Sequence, residues 1–600
     1  MPSSSPHDEY TRRLSAIADS TIRLSKRDNV FAAAKLIIGL LTILIAIWLM
    51  KYHMAKIFFL IVPVLLFIAL AVLHERVLRR LRDGRRLQTY YHRGIARIEN
   101  RWQGNGETGE RFLDPAHPYA RDLDIFGSGS LFELLCTART RSGEETLAAW
   151  LKSAASIPEI IARQAAVQEL APLLDFREHL VLTGEDVRAG IQPEKLITWA
   201  ETNSSVRRPI IRATALTLTT LWLLSLIAWW RWDWMAAAFL MSVINFGLSY
   251  RWHHRLDRSA AGIDKAQHDL ALLAAVIKRI ESETVTSPKL VQLKSRLATS
   301  GALASHAIEN LGRRLAWLES HDNWFVRILG PFVFYTPHCI LAIDVWRSRH
   351  GSAIHEWLAV TGEVEALSSF AVYAYEHPSD IYPQMLEDGP DTRSPHLGAE
   401  ALAHPLLARA TSVTNDLTLD NHLRLLVISG PNMAGKSTFI RSIGINAVLA
   451  QAGAPVCARR MALSSLQVTA SICILDSLQG GLSRFYAEIS RLKQIDELSK
   501  GNTPVLFLLD ELLSGTNSFD RRIGTESFVR SLLKRRAIGL VTTHDLALAE
   551  IAERIGTTAA NFHFEDRFEE GKLHFDYKLT PGIVQTTNAL LLMRSIGLDV

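Results

Sequence analysis

The sequence predicts an α plus α/β chain, in which a helical part with two transmembrane hairpins leads into a C-terminal P-loop domain. Three observations predict it. Two pairs of apolar runs of near-spanning length occupy the first 250 residues, each pair flanked by arginines. Helical periodicity fills the chain around them. Beyond residue 400, short β-rich runs alternate with helices, and one of these runs opens into a glycine-rich turn.

At 600 residues the chain holds several domains, each long enough to bury its own core. Apolar residues form 48% and charged residues 21%, which excludes a disordered chain and suits a folded one with membrane content. The net charge of +5 neither demands nor excludes an anionic partner at this length. Cys136, Cys339, Cys457 and Cys473 form no CxxC pair and have no histidine at metal-ligand spacing, so they read as reduced, buried thiols.

Residues 1–30 read as a cytosolic polar tail, and no cleavable signal peptide is expected there. Residues 31–75 hold the first hairpin, built from 34–50 (AKLIIGLLTILIAIWLM) and 55–73 (AKIFFLIVPVLLFIALAVL), with Lys51 and Lys56 at the edges of the linker. Residues 76–210 read as a helical linker and core, in which "SLFELLCTARTRSGEETLAAWLKSA" and "IPEIIARQAAVQELAPLL" show the helical period. Residues 211–251 hold the second hairpin, 213–230 and 233–250, turned at Arg231, Trp232 and Asp233 among tryptophans suited to a membrane interface. Residues 252–400 continue with helices such as "IDKAQHDLALLAAVIKRIESE", which read as extended packing arms, and close at the Pro, Gly and Asp punctuation of 377–397. The apolar stretch 325–343 is a poor span because of Arg327, Pro331, Pro337 and His338. Residues 401–600 form the α/β domain.

Arg12, Arg13, Arg23, Lys26 and Arg27 precede the first hairpin, and Arg76, Arg79, Arg80, Arg82, Arg85 and Arg86 follow it. Arg207, Arg208 and Arg212, then Arg251, Arg255 and Arg258, flank the second. The positive-inside rule therefore predicts a multi-pass protein of the cell (inner) membrane with the P-loop domain cytoplasmic. A buried core hairpin is the competing reading for each pair.

Gly430-Pro431-Asn432-Met433-Ala434-Gly435-Lys436-Ser437 fits the eight-residue phosphate-loop pattern, between the strand LLVIS and a helix beginning near Thr438. Its glycines let backbone N–H groups converge on phosphates at a helix N-terminus; Lys436 would reach the β and γ phosphates of ATP and the Ser437 hydroxyl would hold Mg²⁺. A second apolar strand, 505–509, ends in Asp510-Glu511. A carboxylate at that strand end suits the Mg²⁺, so Asp510 is the expected metal partner and Glu511 the expected general base. A third strand, "AIGLVTTH", ends in His544, the expected γ-phosphate sensor. Strand-end Asp-Glu followed by strand-end His marks the ABC-type ATPase superclass rather than kinases or small GTPases.

"GPNMAGKST" resembles the phosphate loop of the MutS family of DNA mismatch-repair ATPases. Where an ABC transporter carries an LSGGQ-like stretch, this chain has "DSLQGGLSRFYAEISRL", similar to the MutS segment through Gly481, Ser483, Phe485 and Glu488. The resemblance implies a homodimer closed through the ATPase domain, with Ser483 completing the opposite protomer's site. "DELLSGTNSFD", "HPLLARATSVTNDLTL" with His404-Pro405 and Asn415-Asp416, "NFHF" and "DYKLTPG" resemble further parts of the same domain. More weakly, 130–170 and 357–374 resemble the family's core and the helix returning from its lever arms, so residues between them would form a MutS-like core and lever module.

The membrane hairpins have no counterpart in soluble mismatch-repair proteins. The family's mismatch-reading domain, with its Phe-x-Glu wedge, would precede the core, where this chain has a polar tail and a hairpin; "FRE" at 176–178 fits the tripeptide but lies within core-like helices. The resemblance thus implies an ATP-hydrolysing, DNA-binding protein of the repair or damage-sensing type, anchored in the membrane. The alternative is a membrane-embedded, ATP-driven mechanotransducer that binds no DNA. A transporter is disfavoured, since four spans with little intramembrane charge offer no polar pathway.

Overall fold

The computed structural model describes residues 5–51, 58–190, 193–201, 208–260, 263–298, 303–319, 324–387, 394–431, 434–472, 484–513, 515–569 and 572–584. The chain falls into two compact units: residues 1–136, 151–161 and 370–600, and residues 137–150 and 162–369.

In the first unit, α1 (Pro6–Lys51) and α2 (Phe58–Ile98) run antiparallel, since His7 meets Glu99, Asp28 meets His74 and Gly39 faces Phe67. At 1.5 Å per residue α1 is about 69 Å long. The polar tail is therefore helical and continuous with the apolar run. Asp8 and Glu9 complement the helix dipole in its first turn, Glu9 pairs with Arg12 and Arg13, and Tyr10 is buried edge-on against Tyr91. Large side chains from Leu36 to Trp48 and from Ile61 to Leu73 are exposed, so this stretch of the hairpin is not buried within the chain itself. At its far end Arg97 donates two hydrogen bonds, 2.7 and 2.6 Å, to the fully buried carboxylate of Glu376.

The second unit takes most of the helical chain. Its elements run through α4 (Arg141–Lys152), α5 (Ile157–Leu170), α6 (Leu174–Gly190), α7 (Pro193–Glu201), α8 (Arg208–Trp232), α9 (Met235–Ala260), α10 (Ile263–Ser282), α11 (Pro288–Leu297), α12 (Ala304–Glu319), α13 (Trp324–Leu329) and α14 (Tyr335–Glu376); α3 (Leu131–Leu135) precedes them in the first unit. The expected extended arms are instead folded back. Leu270, Leu273, Val276, Ile277 and Ile280 of α10 are buried, an apolar surface too wide for an isolated arm, and α10 packs on both α6 and α12. Phe176 of the "FRE" tripeptide is likewise buried in α6, under the Arg279 guanidinium.

Helices α8 and α9 form the second hairpin, turned at Asp233 in the left-handed region. Trp222 donates to Ser242 at 2.9 Å, and buried Asn245 donates to the carbonyl of Phe332 at 2.8 Å. Among the described residues α1, α2 and α8 are long and apolar enough to cross a membrane, and α9 is not one of them. Ser242, Asn245 and Ser249 lower its hydropathy, so the fourth expected span has weaker support than the other three.

The α/β part of the first unit carries β1 (Gln384–Met385), β2 (Leu397–Leu402), β3 (Asn415–Leu419), β4 (Leu425–Ser429), α15 (Lys436–Ala452), β5 (Arg460–Leu463), β6 (Gln467–Ser471), α16 (Arg484–Ser499), β7 (Val505–Asp510), α17 (Ser518–Lys534), β8 (Ile538–Thr543), α18 (Leu546–Ile555), β9 (Ala559–His563), β10 (Asp566–Glu569), β11 (Lys572–Phe575) and β12 (Thr580–Pro581). The main sheet has the order β12-β9-β4-β8-β7-β6, parallel except at β12. A parallel sheet is covered on both faces, which is why β4 and β8 are wholly buried and apolar up to the polar residues at their C-terminal ends. Strands β1, β5, β2 and β3 form a second, mixed sheet.

One loop ties the N-terminal half into this domain. Buried Asp122 accepts from the backbone N–H of Ile472 at 2.8 Å, Pro118 accepts from Ala470, and Arg491 donates to the carbonyl of His117. Leu123 presses on Gly444 of α15, where an added Cβ would lie 2.6 Å from its side chain.

Candidate nucleotide site

Strands β4, β8 and β7 are adjacent and parallel, so their C-terminal ends, Ser429, Thr543 and Asp510, open on the same edge of the sheet. Ligands of open α/β sheets bind at this edge. Here the chain forms a cleft of about 590 Å³, lined among others by Lys436, Ser437, Asp510, Glu511, Glu488 and Tyr577.

The loop after β4 is shaped by two glycines. Gly430 has φ 140° and a Cβ there would meet the carbonyl of Phe564 at 2.7 Å; Gly435 has φ 98° and caps α15. Lys436, the first residue of α15, is buried, and its Nζ donates to the carbonyls of Gly430 and Pro431 at 2.7 and 2.9 Å. Burial lowers its pKa from the ordinary lysine value, opposed by the carboxylates of Glu511 and Asp510. Glu511 lies 3.9 Å from that ammonium.

Ser437 Oγ donates to Asp510 Oδ2 at 2.6 Å, and the other oxygen of Asp510 accepts from the hydroxyl of Thr542. Thr542 also receives the Glu511 backbone N–H at 3.2 Å, so one side chain of β8 ties the Asp510 carboxylate to the backbone of Glu511. Glu511 and Leu513 have φ of 47° and 54°, a left-handed turn whose Leu513 N–H bonds to the buried carboxylate of Glu488. His544 Nδ1 sits 3.2 Å from Glu511 Oε1.

Of the residues expected from sequence, the fold brings together Gly430, Gly435, Lys436, Ser437, Thr438, Asp510, Glu511 and His544. Pro431 and Ala434 close the loop between them through an N–H to carbonyl bond of 3.3 Å. Asn432, Met433 and Ser483 lie outside the described residues. Sequence reasoning missed Thr542, whose only signal is a polar pair at the end of an apolar strand. It also missed Tyr577, which walls the cleft and whose ring would lie 3.0 Å from a Cβ added at Gly435. Asn415 places Tyr577 by donating to its carbonyl at 3.0 Å and accepting from Leu579 N–H at 2.8 Å.

Residues 426–598 match the family model for MutS domain V. The chain is 34% identical over 223 residues to the DNA mismatch repair protein MutS of Brevibacillus brevis, covering 36% of this chain and 25% of that protein. It is 34% identical over 197 residues to the endonuclease MutS2 of Thermus thermophilus, covering 32% and 25%. With the DNA mismatch repair protein MutS of Thermotoga maritima the identity is 30% over 258 residues, covering 42% and 30%. These matches span at most 30% of the relatives' own length. The likeness to the MutS family thus rests on the C-terminal part of the chain, where residues 426–598 match MutS domain V.

Proposed function

We propose that the chain is a membrane-anchored MutS-like ATPase that works as a homodimer through its ATPase domain and binds duplex DNA. The observation that carries the ATPase reading is the convergence of Lys436, Ser437, Asp510 and Glu511 on one cleft at the ends of adjacent parallel strands. Ser437 and Asp510 are hard oxygen donors held together, a set that fits Mg²⁺, which when bound supplies Lewis-acid polarisation of a phosphoryl oxygen. Lys436 offsets phosphate charge, and Glu511 accepts the proton of the attacking water while Thr542 and His544 hold its orientation. Ser483 is assigned to the γ-phosphate in the opposite protomer. The exposed apolar surfaces of α1, α2 and α8 support the membrane reading, with the ATPase domain on the cytoplasmic side of the cell (inner) membrane.

In the test, Lys436→Ala abolishes nucleotide binding, whereas Glu511→Gln still binds ATP and hydrolyses it at least roughly a hundredfold more slowly. Unchanged hydrolysis in the Glu511 variant rejects the base assignment.

A second reading, the mechanotransducer that binds no DNA, is favoured by the buried Arg97–Glu376 pair that joins the first hairpin to the C-terminal end of α14 within the ATPase-bearing unit. Titration of detergent-solubilised protein with matched and mismatched duplexes at two salt concentrations separates the two. Weak, salt-sensitive binding with little mismatch preference is expected, because phosphate contacts are independent of sequence and base reading needs an inserted side chain. No binding at low salt would leave the transducer; strong mismatch selectivity would overturn the expected lack of a reading element.

A further inference from the structure

The first hairpin carries a feature that the ATPase does not use. Along one face of α2, at helical spacing, the apolar side chains of Phe67, Ile68 and Val72 give way to Arg76, Arg79 and Arg80, and these residues line a groove of about 600 Å³. Ile68 to Arg80 is about 18 Å along the axis. All three arginines are exposed, while Glu75 in the same groove accepts from Arg82 at 3.0 Å and Asp83 lies beyond Arg80. The antiparallel partner adds charge at the same level. Because Asp28 meets His74 and Thr21 faces Gly84, the exposed Arg23, Lys26 and Arg27 of α1 flank the same stretch of α2. Residues 19–28 and 74–86 together hold nine basic and four acidic side chains.

The geometry points to a binding site for one anionic phospholipid of the cytoplasmic leaflet, its acyl chain along Phe67, Ile68 and Val72 and its phosphate among Arg76, Arg79 and Arg80. This rests on the membrane reading of the first hairpin. An apolar track that ends in a cluster of guanidiniums matches a molecule with an apolar tail and an anionic head, and guanidinium binds phosphate by paired hydrogen bonds. A free phosphate would use the arginines and leave the apolar track without a role. Arginines serving only to orient the hairpin need not share a face with it.

The full-length protein is reconstituted in phosphatidylcholine vesicles with traces of spin-labelled phosphatidylglycerol or phosphatidylcholine, and the motionally restricted fraction of each is read by electron paramagnetic resonance. The wild type restricts the anionic lipid at least roughly fivefold more strongly, the factor one basic side chain near an anionic leaflet supplies. The triple change Arg76→Gln, Arg79→Gln, Arg80→Gln brings the ratio near one, the corresponding triple change to Lys keeps most of it, and Arg459→Gln with Arg460→Gln leaves it intact. Melting temperatures check folding, and Arg79→Gln alone, expected to lower the preference by roughly twofold to fivefold, serves if the triple variant is unstable. A preference that survives the glutamine changes overturns the site, as does its loss to millimolar inorganic phosphate. Alkaline carbonate separates the two levels: wild-type protein extracted from membranes removes the membrane reading itself, whereas protein that is retained but shows no lipid preference removes the lipid site alone.

Discussion

Replacing Glu488 tests whether Glu511, the proposed general base, is placed by strain held in check. Glu511 and Leu513 both occupy the left-handed region, which costs a residue with a Cβ about 1–2 kcal/mol. Glu488, 2% exposed on α16, accepts the Leu513 N–H, and a hydrogen bond to a charged group contributes about 1.5–3 kcal/mol. The two quantities are of one size, so the carboxylate offsets much of the strain of the turn. In Glu488→Ala that acceptor is gone, the turn relaxes, and Glu511 moves away from its place beside Lys436 and His544. Misplacement of a catalytic group by about 1 Å costs up to roughly a hundredfold. The expected kcat therefore falls by about 10- to 100-fold, while the Kd for ATP, set by the loop after β4, changes by less than about threefold. Glu488→Gln keeps a neutral acceptor and loses less. Phosphate release and fluorescent-nucleotide binding measure the two quantities. A Glu488→Ala kcat within twofold of wild type, or a parallel rise in Kd, would refute the reasoning.

Three more outcomes are expected. Ser483→Arg inactivates the protein alone, but mixed with Lys436→Ala protomers it regains hydrolysis from one intact composite site; full activity of Ser483→Arg by itself ends the assignment in trans. Arg97→Ala or Glu376→Ala leaves a buried charge without its partner and costs about 3–5 kcal/mol, seen as a lower unfolding midpoint in detergent, and the apolar pair Arg97→Met with Glu376→Leu recovers most of it. His404 is held neutral by burial, with Arg441 and Arg409 adding repulsion, and its pKa is lowered from 6.5 to about 4. As pH falls from 6.5 towards 4 the unfolded chain takes up a proton that the folded chain refuses, so stability drops over that window; His404→Gln should flatten the drop in melting temperature between pH 6.5 and 4.5, and an unchanged slope would refute it.

The strands around the cleft are legible in the sequence because each is a mainly apolar run that stops at a polar signature: LLVIS at the glycine-rich loop, VLFLL at Asp510-Glu511 and IGLVTT at His544. Their juxtaposition follows from the handedness of parallel crossovers, which leaves few places for three such ends to go. Thr542 is not legible, since a threonine in a strand reads as β propensity and only the third dimension turns its hydroxyl towards Asp510. The loop through Pro118 and Asp122 has no periodicity at all, and its partners lie hundreds of residues away. The arms mislead for a related reason: α10 shows the period of an amphipathic helix, but periodicity says nothing of how many neighbours share its apolar face. The expected span of α9 rests on length, while Asn245 and its two serines lower its hydropathy.

The bond from Asp122 to Ile472 joins positions 350 residues apart, and this has a consequence for how the protein is made. At about 5–20 residues per second, the ribosome needs roughly 20 to 70 s after releasing Asp122 before Ile472 exists to meet it. In that interval the second apolar hairpin emerges and the second helical unit is synthesised. The loop that braces β6 and α15 waits throughout without its partners. The cleft is thus completed last, and under the proposed membrane anchoring the proposed ATPase domain would close on a nascent chain whose first hairpin has already had its chance to enter the bilayer.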